Sequence, residues 1–172
     1  MSVQRSIQDI NQLSPAQFVE LLGGIFEHSP WVAERACVQR PFALVRDLHQ
    51  AMANAVMSAP LPMQLALIRA HPELAGKAAV RGELTVESTR EQSGAGLSEC
   101  SADEFATLQK LNASYNAKFG FPFVIAVRGH DRHSIIAHFS RRLESTQEVE
   151  TQECLEQIIR IGGFRLADVV HD

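Results

Sequence analysis

The amino-acid sequence predicts an all-α fold, a compact single-domain irregular bundle of about eight helices over residues 1–172. Apolar residues recur at helical spacing along most of the chain. Residues typical of helix N-caps precede several of these segments. No strand ladder, internal repeat or linker is apparent. A chain of 172 residues can bury roughly 70% of its unfolded surface, which is enough for one hydrophobic core.

The first half of the chain predicts four helices. Ser14 and Pro15 suit the N-cap and first turn of a helix whose apolar residues recur up to Ser29. Three further helices are predicted over residues 31–38, about 42–58 and 63–71. Because Pro72 disfavours helix in the residue before it, the fourth helix should stop at His71.

The middle of the chain predicts a surface loop and two capped helices. Residues 73–86 contain glycines and mixed charges, which are typical of a loop. Ser88-Thr89-Arg90-Glu91 fits a capping box, with a short helix following to about Ala95. Ser101-Ala102-Asp103-Glu104 is a second capping box, and Gly120 is placed to end the helix that it opens.

The last third predicts an irregular segment and two helices. Phe121–Val127 should be extended or irregular, since Pro122 bars a regular helix, and a turn follows. Helices are predicted over residues 133–143 and from Ser145 towards Val170. Gly162-Gly163 weakens the last helix by ~1 kcal/mol per glycine. Either close packing or a ligand approaching the backbone would explain this pair.

Composition excludes several classes of function. The formal net charge is -4 and no basic stretch is dense, which argues against a nucleic-acid partner. Cys37, Cys100 and Cys154 form no C-x-x-C pair, which suits a reducing compartment and disfavours a zinc site or disulfides. No signal peptide is visible, and the longest apolar run is too short to span a membrane. We therefore expect a cytoplasmic protein.

Two groups suited to proton transfer stand out. His71 lies at the predicted helix end, and an unperturbed histidine side chain titrates near neutral pH. Taken alone, it is more typical of a structural residue that bonds the last helical carbonyls. Glu91 lies in a polar segment that ends in Gly94-Ala95-Gly96, but it could simply be the capping-box acid for Ser88.

Two further features could bind a small polar ligand. Phe121–Val127 could be a pocket wall whose non-helical backbone offers N–H and C=O groups, or a buried core strand. Arg165, in the apolar turn of residues 163–167, could pair with carboxylate or ureido oxygens, or form a surface salt bridge. No nucleophile elbow, Walker loop or dinucleotide loop is present, so acid–base chemistry is the class that survives.

Three segments together resemble the 2-oxo-4-hydroxy-4-carboxy-5-ureidoimidazoline (OHCU) decarboxylase family. They are His-Pro-Glu-Leu-Ala-Gly at 71–76, Leu-Thr-x-Glu-Ser-x-x-Glu-Gln-x-x-Ala-Gly-Leu at 84–97, and Leu-Asn-x-x-Tyr-x-x-Lys-Phe-Gly-Phe-Pro-Phe-Val-Ile at 111–125. The resemblance spans nearly the whole chain. It implies an all-helical homodimer without a cofactor or metal, which converts a ureidoimidazoline to (S)-allantoin in urate degradation.

The resemblance also implies roles for particular residues. His71 matches the catalytic acid/base and Glu91 matches its carboxylate partner. The residues that match substrate-contacting positions are Pro72, Ser88, Thr89, Arg90, Glu91, Gln92, Phe123, Val124, Ile125, Ala126, Val127 and Arg165.

Two other functions stay open at this point. The chain could be a non-catalytic helical binding module that uses Phe121–Val127 as a groove for a partner. It could also be a different ureide enzyme, a hydrolase or lyase. Those enzymes commonly need a metal, and the sequence offers no evident ligand cluster for one.

Overall fold

The computed structural model describes residues 4–172, and this part of the chain is predominantly α-helical. Its helices are α1 Ile7–Gln12, α2 Pro15–Leu22, α3 Trp31–Cys37, α4 Val45–Met57, α5 Leu61–Ala70, α6 Lys77–Val80, α7 Val86–Gly94, α8 Ala102–Phe119, α9 Arg132–Arg142 and α10 Gln147–Val169, with a 3-10 turn at Leu97–Glu99. The predicted all-α class is confirmed. The described residues hold ten α-helices rather than about eight, because α1 and the single-turn α6 were not predicted.

One short strand pair departs from the sequence prediction. Residues of β1, Arg5–Ser6, pair in parallel with those of β2, Val170–His171, so that Arg5 lies opposite Val170. The expectation of no strand ladder is therefore wrong for these four residues. Two residues per strand are too few to show the alternating pattern by which a strand is recognised in sequence.

The chain divides into two compact units. One comprises residues up to 70 together with 158–172, and the other comprises residues 71–157. In the first unit, α2, α3 and α4 pack together around buried Phe18, Val32 and Leu48. The single-domain organisation proposed from the sequence stays a prediction.

The second unit is built on an aromatic cluster. The Tyr115 ring of α8 lies 4.6 Å from Phe119, 5.5 Å from Phe123 and 5.7 Å from Phe139, measured between ring centroids. Phe123 and Phe139 stack at 3.9 Å. These contacts fix the irregular segment against α8 and α9. Phe121–Val127 is non-helical, as the sequence predicts, and it is buried throughout.

The start of α7 corrects one local prediction. Thr85, and not Ser88, is the N-cap, since its Oγ1 accepts the Ser88 N–H at 3.2 Å. The capping box predicted at Ser88–Glu91 is therefore wrong. Thr85-x-x-Ser88 offers an earlier cap, and Val86 and Glu87 continue the helix from it. By contrast, the capping box at Ser101 and the left-handed C-cap at Gly120 are both confirmed.

The glycine pair lies inside α10, where it permits close packing. A Cβ added at Gly162 would lie 2.7 Å from Cζ of Phe26, and one at Gly163 would lie 3.0 Å from Nε2 of His49. Close packing is thus the explanation that the structure supports. α10 continues to Val169, as the sequence predicts, so the turn that contains Arg165 is a turn of this helix.

No single helix within residues 4–172 is long and apolar enough to cross a membrane. The bent pair α4 and α5, with an angle of 115° between them, meets that criterion only when the two are counted together.

Candidate active site

His71 follows directly after α5 and begins the second unit. The helix ends at Ala70, within one residue of the predicted stop. The imidazole is buried, with 7% of the residue exposed. Residues 71–76, which we call the His71 loop, then turn sharply, and Ala75 adopts a left-handed backbone with φ of +49°.

Four amide side chains, which we call the amide clamp, hold the His71 loop. Gln92 of α7 uses both ends of its side chain: Oε1 accepts the Ala75 N–H at 3.0 Å and Nε2 donates to the Glu73 carbonyl at 3.3 Å. Three amides of α8 complete the set. Their bonds run from Gln109 Nε2 to the Ala75 carbonyl at 2.8 Å, from Asn112 Nδ2 to the Leu74 carbonyl at 3.0 Å, and from Asn116 Nδ2 to the Glu73 carboxylate.

Glu91 lies beside a small pocket of the second unit. Glu91, Arg90 and Val127 are among the residues that line a volume of about 220 Å³. This is smaller than the roughly 300–1,000 Å³ typical of sites for drug-sized ligands, and suits a compact molecule. The structure thus brings Glu91 to one end of the irregular segment. Because Thr85 caps α7, Glu91 is not the capping acid that the sequence left as an alternative.

The five predicted ligand residues of α7 do not share one face. Ser88, Glu91 and Gln92 are spaced i, i+3 and i+4, which places them on the same side of a helix. Ser88 and Gln92 are buried. Thr89 is exposed, donates from Oγ1 to the Thr85 carbonyl at 2.9 Å, and lines a different pocket of about 520 Å³. A contact between Thr89 and substrate stays a prediction.

Part of the backbone of the irregular segment, Phe121–Val127, forms hydrogen bonds within the protein. The Val124 carbonyl accepts from Arg142 Nη1 at 2.7 Å, and the Ala126 N–H donates to Gln157 Oε1 at 3.0 Å. These two groups are therefore engaged within the protein. The sequence predicts ligand contacts along the whole of Phe123–Val127, but it does not show which backbone groups have partners within the protein.

A buried polar cluster supports this segment from behind. Arg142 pairs with Glu150 at 2.9 Å, and its guanidinium carbon lies 4.3 Å from the centroid of the Phe123 ring. The Tyr115 hydroxyl donates to the same Glu150 carboxylate and contacts Cys154 Sγ at 3.4 Å. Burial raises the pKa of both Tyr115 and Cys154 above their ordinary values. Arg142 and Glu150 thereby fix the position of the Val124 carbonyl.

Arg165 belongs to the first unit, where it forms a buried ion pair. Its Nη1 donates to Glu27 Oε2 at 2.8 Å, and only 3% of each residue is exposed. The alternative of a surface salt bridge is therefore wrong in one respect: a pair exists, but it is buried. Breaking one side of a buried pair is costly, so Glu27 stabilises Arg165 in place.

The family model for OHCU decarboxylase matches residues 11–167. The chain belongs to the OHCU decarboxylase family. It is 41% identical over 163 residues to the 2-oxo-4-hydroxy-4-carboxy-5-ureidoimidazoline decarboxylase of Haloferax volcanii, covering 95% of each chain. The predicted family and the predicted enzyme class, a carboxy-lyase, are confirmed.

Two longer proteins resemble this OHCU decarboxylase family member over part of their length. The uric acid degradation bifunctional protein of Bacillus subtilis is 41% identical over 165 residues, which cover 96% of this chain and 33% of that protein. The crystal structure of (S)-allantoin synthase superimposes with a TM-score of 0.77 at 27% identity, covering 96% of this chain and 54% of that one. This chain therefore spans a third and about half of those two proteins, respectively.

The sequence prediction for this OHCU decarboxylase family member missed the α8 amides and the buried acids. Gln109, Asn112 and Asn116 are spaced i, i+3 and i+7, so a polar stripe on one face of α8 was visible in the sequence. Glu27 and Glu150 gave no such signal, because each finds its arginine only through the tertiary fold. Within residues 4–172, no three His, Cys, Asp or Glu side chains form a group that could hold a metal ion.

Proposed function

We propose that this protein removes carbon dioxide from 2-oxo-4-hydroxy-4-carboxy-5-ureidoimidazoline and releases (S)-allantoin, the last step from urate to allantoin. The observation that carries the proposal is the family match over residues 11–167, together with 41% identity to a relative named for this substrate along 95% of both chains. A buried histidine at a helix end and a glutamate beside a small pocket supply the groups that the reaction needs.

The substrate itself provides the electron sink. The carbon that loses carbon dioxide bears a hydroxyl group and adjoins the carbon of an imine. The electron pair of the breaking bond forms a C=C bond to that carbon, and the imine nitrogen accepts the displaced pair. Such a reaction does not require pyridoxal phosphate or a metal to stabilise a carbanion. The protein then has to bind the substrate, orient the breaking bond and control a proton.

We assign these tasks to His71 and Glu91. In this mechanism both side chains hydrogen-bond the substrate hydroxyl and ring, carbon dioxide leaves, and an enol-like intermediate forms. His71 then delivers a proton to one face of that intermediate, which sets the S configuration. Proton transfer by a positioned side chain typically contributes ~10²–10⁴-fold in rate.

The remaining predicted ligands hold the substrate in this proposal. Backbone N–H groups of Phe123–Val127 would bind ring oxygens, apart from those of Val124 and Ala126, which have partners within the protein. Arg165 would bind the ureido or carboxylate oxygens, and its buried ion pair with Glu27 would hold the guanidinium in position. Pro72 and residues 88–92 would complete the contacts.

The test follows freshly generated substrate by circular dichroism with the wild-type protein and two pairs of variants. His71→Ala should abolish stereospecific formation of allantoin, whereas His133→Ala, an exposed histidine of α9, should not. Glu91→Gln should lower turnover without loss of the α7 cap, because Thr85 provides that cap. Glu99→Gln, at an exposed site, is its control. An inactive wild-type protein would contradict the proposed function, and an active His71→Ala protein would contradict the assigned mechanism.

We also propose that the protein is a cytoplasmic homodimer without nucleic-acid or membrane partners. The homodimer rests on the resemblance of the sequence to the family, and the location rests on the composition and cysteine usage. Light scattering coupled to gel filtration measures the mass in solution, and cell fractionation measures the location. A monomeric mass would contradict the first proposal and secretion would contradict the second.

A further inference from the structure

We propose that the amide clamp positions His71 for catalysis, so that Gln109, Asn112 and Asn116 act as positioning residues although none is needed to touch the substrate. This inference rests on the decarboxylase function proposed above. It concerns the second unit alone, because the His71 loop, α7 and α8 all lie within residues 71–157.

The His71 loop does not hold its conformation through its own sequence. Ala75 has a φ of +49°, a left-handed backbone that residues other than glycine seldom adopt. Its N–H and C=O are bonded to Gln92 and Gln109, and the two preceding carbonyls are bonded to Asn112 and Gln92. Four hydrogen bonds from outside the loop thus stabilise a turn that its own residues disfavour.

Asn112 provides an independent reason to regard these bonds as functional. The residue is 3% exposed, and its Oδ1 is a buried atom without a hydrogen-bond partner among the described residues. An unsatisfied buried acceptor destabilises a fold, and a leucine of similar size would avoid that cost. The donation from Nδ2 to the Leu74 carbonyl is therefore what asparagine contributes at this position.

α8 is a suitable scaffold for positioning. It runs for 18 residues with a capping box at Ser101 and a left-handed cap at Gly120. The neighbouring face of the helix buries Leu108, Tyr115 and Phe119 in the aromatic core. Side chains on such a helix have little freedom to shift along it.

The clamp also couples the two proposed catalytic groups. Gln92 is adjacent to Glu91 on α7, and its side chain bonds to the loop that begins with His71. A displacement of the loop would therefore change the distance between the imidazole and the carboxylate. Reaction rates are sensitive to such displacements, since a misplacement of about 1 Å can cost ~10²-fold.

The experiment uses Gln109→Met and Asn112→Leu, which remove one donor each at nearly constant size. The control is Lys110→Met, an exposed position on the same helix. We expect kcat to fall by ~10–10²-fold in the two clamp variants with KM changed less than about threefold, and no change in the control. In the His71→Ala background, the clamp substitutions should cost little further activity, because they act through His71.

A readout independent of activity is the hydrogen exchange of the Ala75 amide in the folded protein. Each clamp variant should speed this exchange by about tenfold, while Lys110→Met should leave it unchanged. Unchanged exchange would overturn the clamp, and faster exchange with an unchanged kcat would overturn its role in catalysis. An inactive wild-type protein with the expected exchange would instead count against the proposed function and leave the clamp itself supported.

Discussion

Replacing Gly162 by alanine should destabilise the protein relative to the same replacement at Gly94. Both glycines lie on helices, α10 and α7, so alanine should improve the intrinsic helix propensity at each site. The surroundings differ. A Cβ at Gly162 would meet three atoms of the Phe26 ring at 2.7, 3.0 and 3.3 Å, whereas a Cβ at Gly94 would meet nothing within 4 Å.

The size of the expected destabilisation follows from the overlap between the added Cβ and the Phe26 ring. Carbon atoms pack best at about 3.5–4.0 Å, so the nearest contact would be short by roughly 0.8 Å. Phe26 is only 2% exposed and cannot turn into solvent. Overpacking of this kind costs ~1–3 kcal/mol, against a gain of up to ~1 kcal/mol from helix propensity. The free energy of unfolding of Gly162→Ala should therefore lie ~1–3 kcal/mol below that of Gly94→Ala.

Urea denaturation of the wild type and the two variants measures this difference in the free energy of unfolding.

The contact between residue 162 and Phe26 has a further consequence in the first unit, because Phe26 precedes Glu27, the partner of Arg165. Gly162→Ala should displace that pair and weaken substrate binding if Arg165 has its proposed role. A Gly162→Ala protein as stable as Gly94→Ala would refute the reasoning, since it would show that α10 has room at this point.

Three further predictions concern the pH dependence, the cooperativity and the capping of the fold. Burial raises the pKa of Cys154 and Tyr115 above their ordinary values of 9.0 and 10.0, so the unfolded chain loses these protons first as pH rises. The contribution of these two groups to the free energy of unfolding is thus complete below about pH 9 and declines above it. A urea midpoint that does not change up to pH 10.5 would contradict this decline. Trp31 lies in the first unit and Tyr115 in the second, so their signals report on the two units separately. If the chain is a single domain, the urea transition followed by tryptophan fluorescence should coincide with that followed by the near-ultraviolet circular dichroism of tyrosine. Separate transitions would reject the single domain. Ser101→Ala should cost ~1 kcal/mol of stability by loss of the α8 cap, whereas Ser114→Ala, exposed on the same helix, should cost much less in thermal melts.

Local signals in the sequence were sufficient where one pattern dominated. The cap at Ser101, the left-handed Gly120 and the helix stop before Pro72 each depend on a few neighbouring residues, and all three are confirmed. The start of α7 was misplaced because two cap patterns overlap there. Thr85-x-x-Ser88 and Ser88-x-x-Glu91 compete, and a helix can begin at only one of them.

Contacts between distant residues could not be predicted in the same way. Arg165 was recognised as a binding candidate, but its partner Glu27 lies 138 residues away and carries no local signature. The amides of α8 formed a visible stripe, yet nothing in the sequence indicated that the stripe faces the His71 loop. Helical spacing shows which residues share a face, and the tertiary fold decides what that face meets.

Because the amide clamp is uncharged, the geometry of the His71 loop should not depend on the titration of the clamp. Gln92, Gln109, Asn112 and Asn116 carry no charge at any pH, and the backbone groups that they bind do not titrate either. Only the contact of Asn116 with Glu73 includes an ionisable partner. The loop can therefore keep its shape while neighbouring acids and bases gain or lose protons. A pH–rate profile of this protein would then report the groups that exchange protons with substrate, largely free of a changing scaffold.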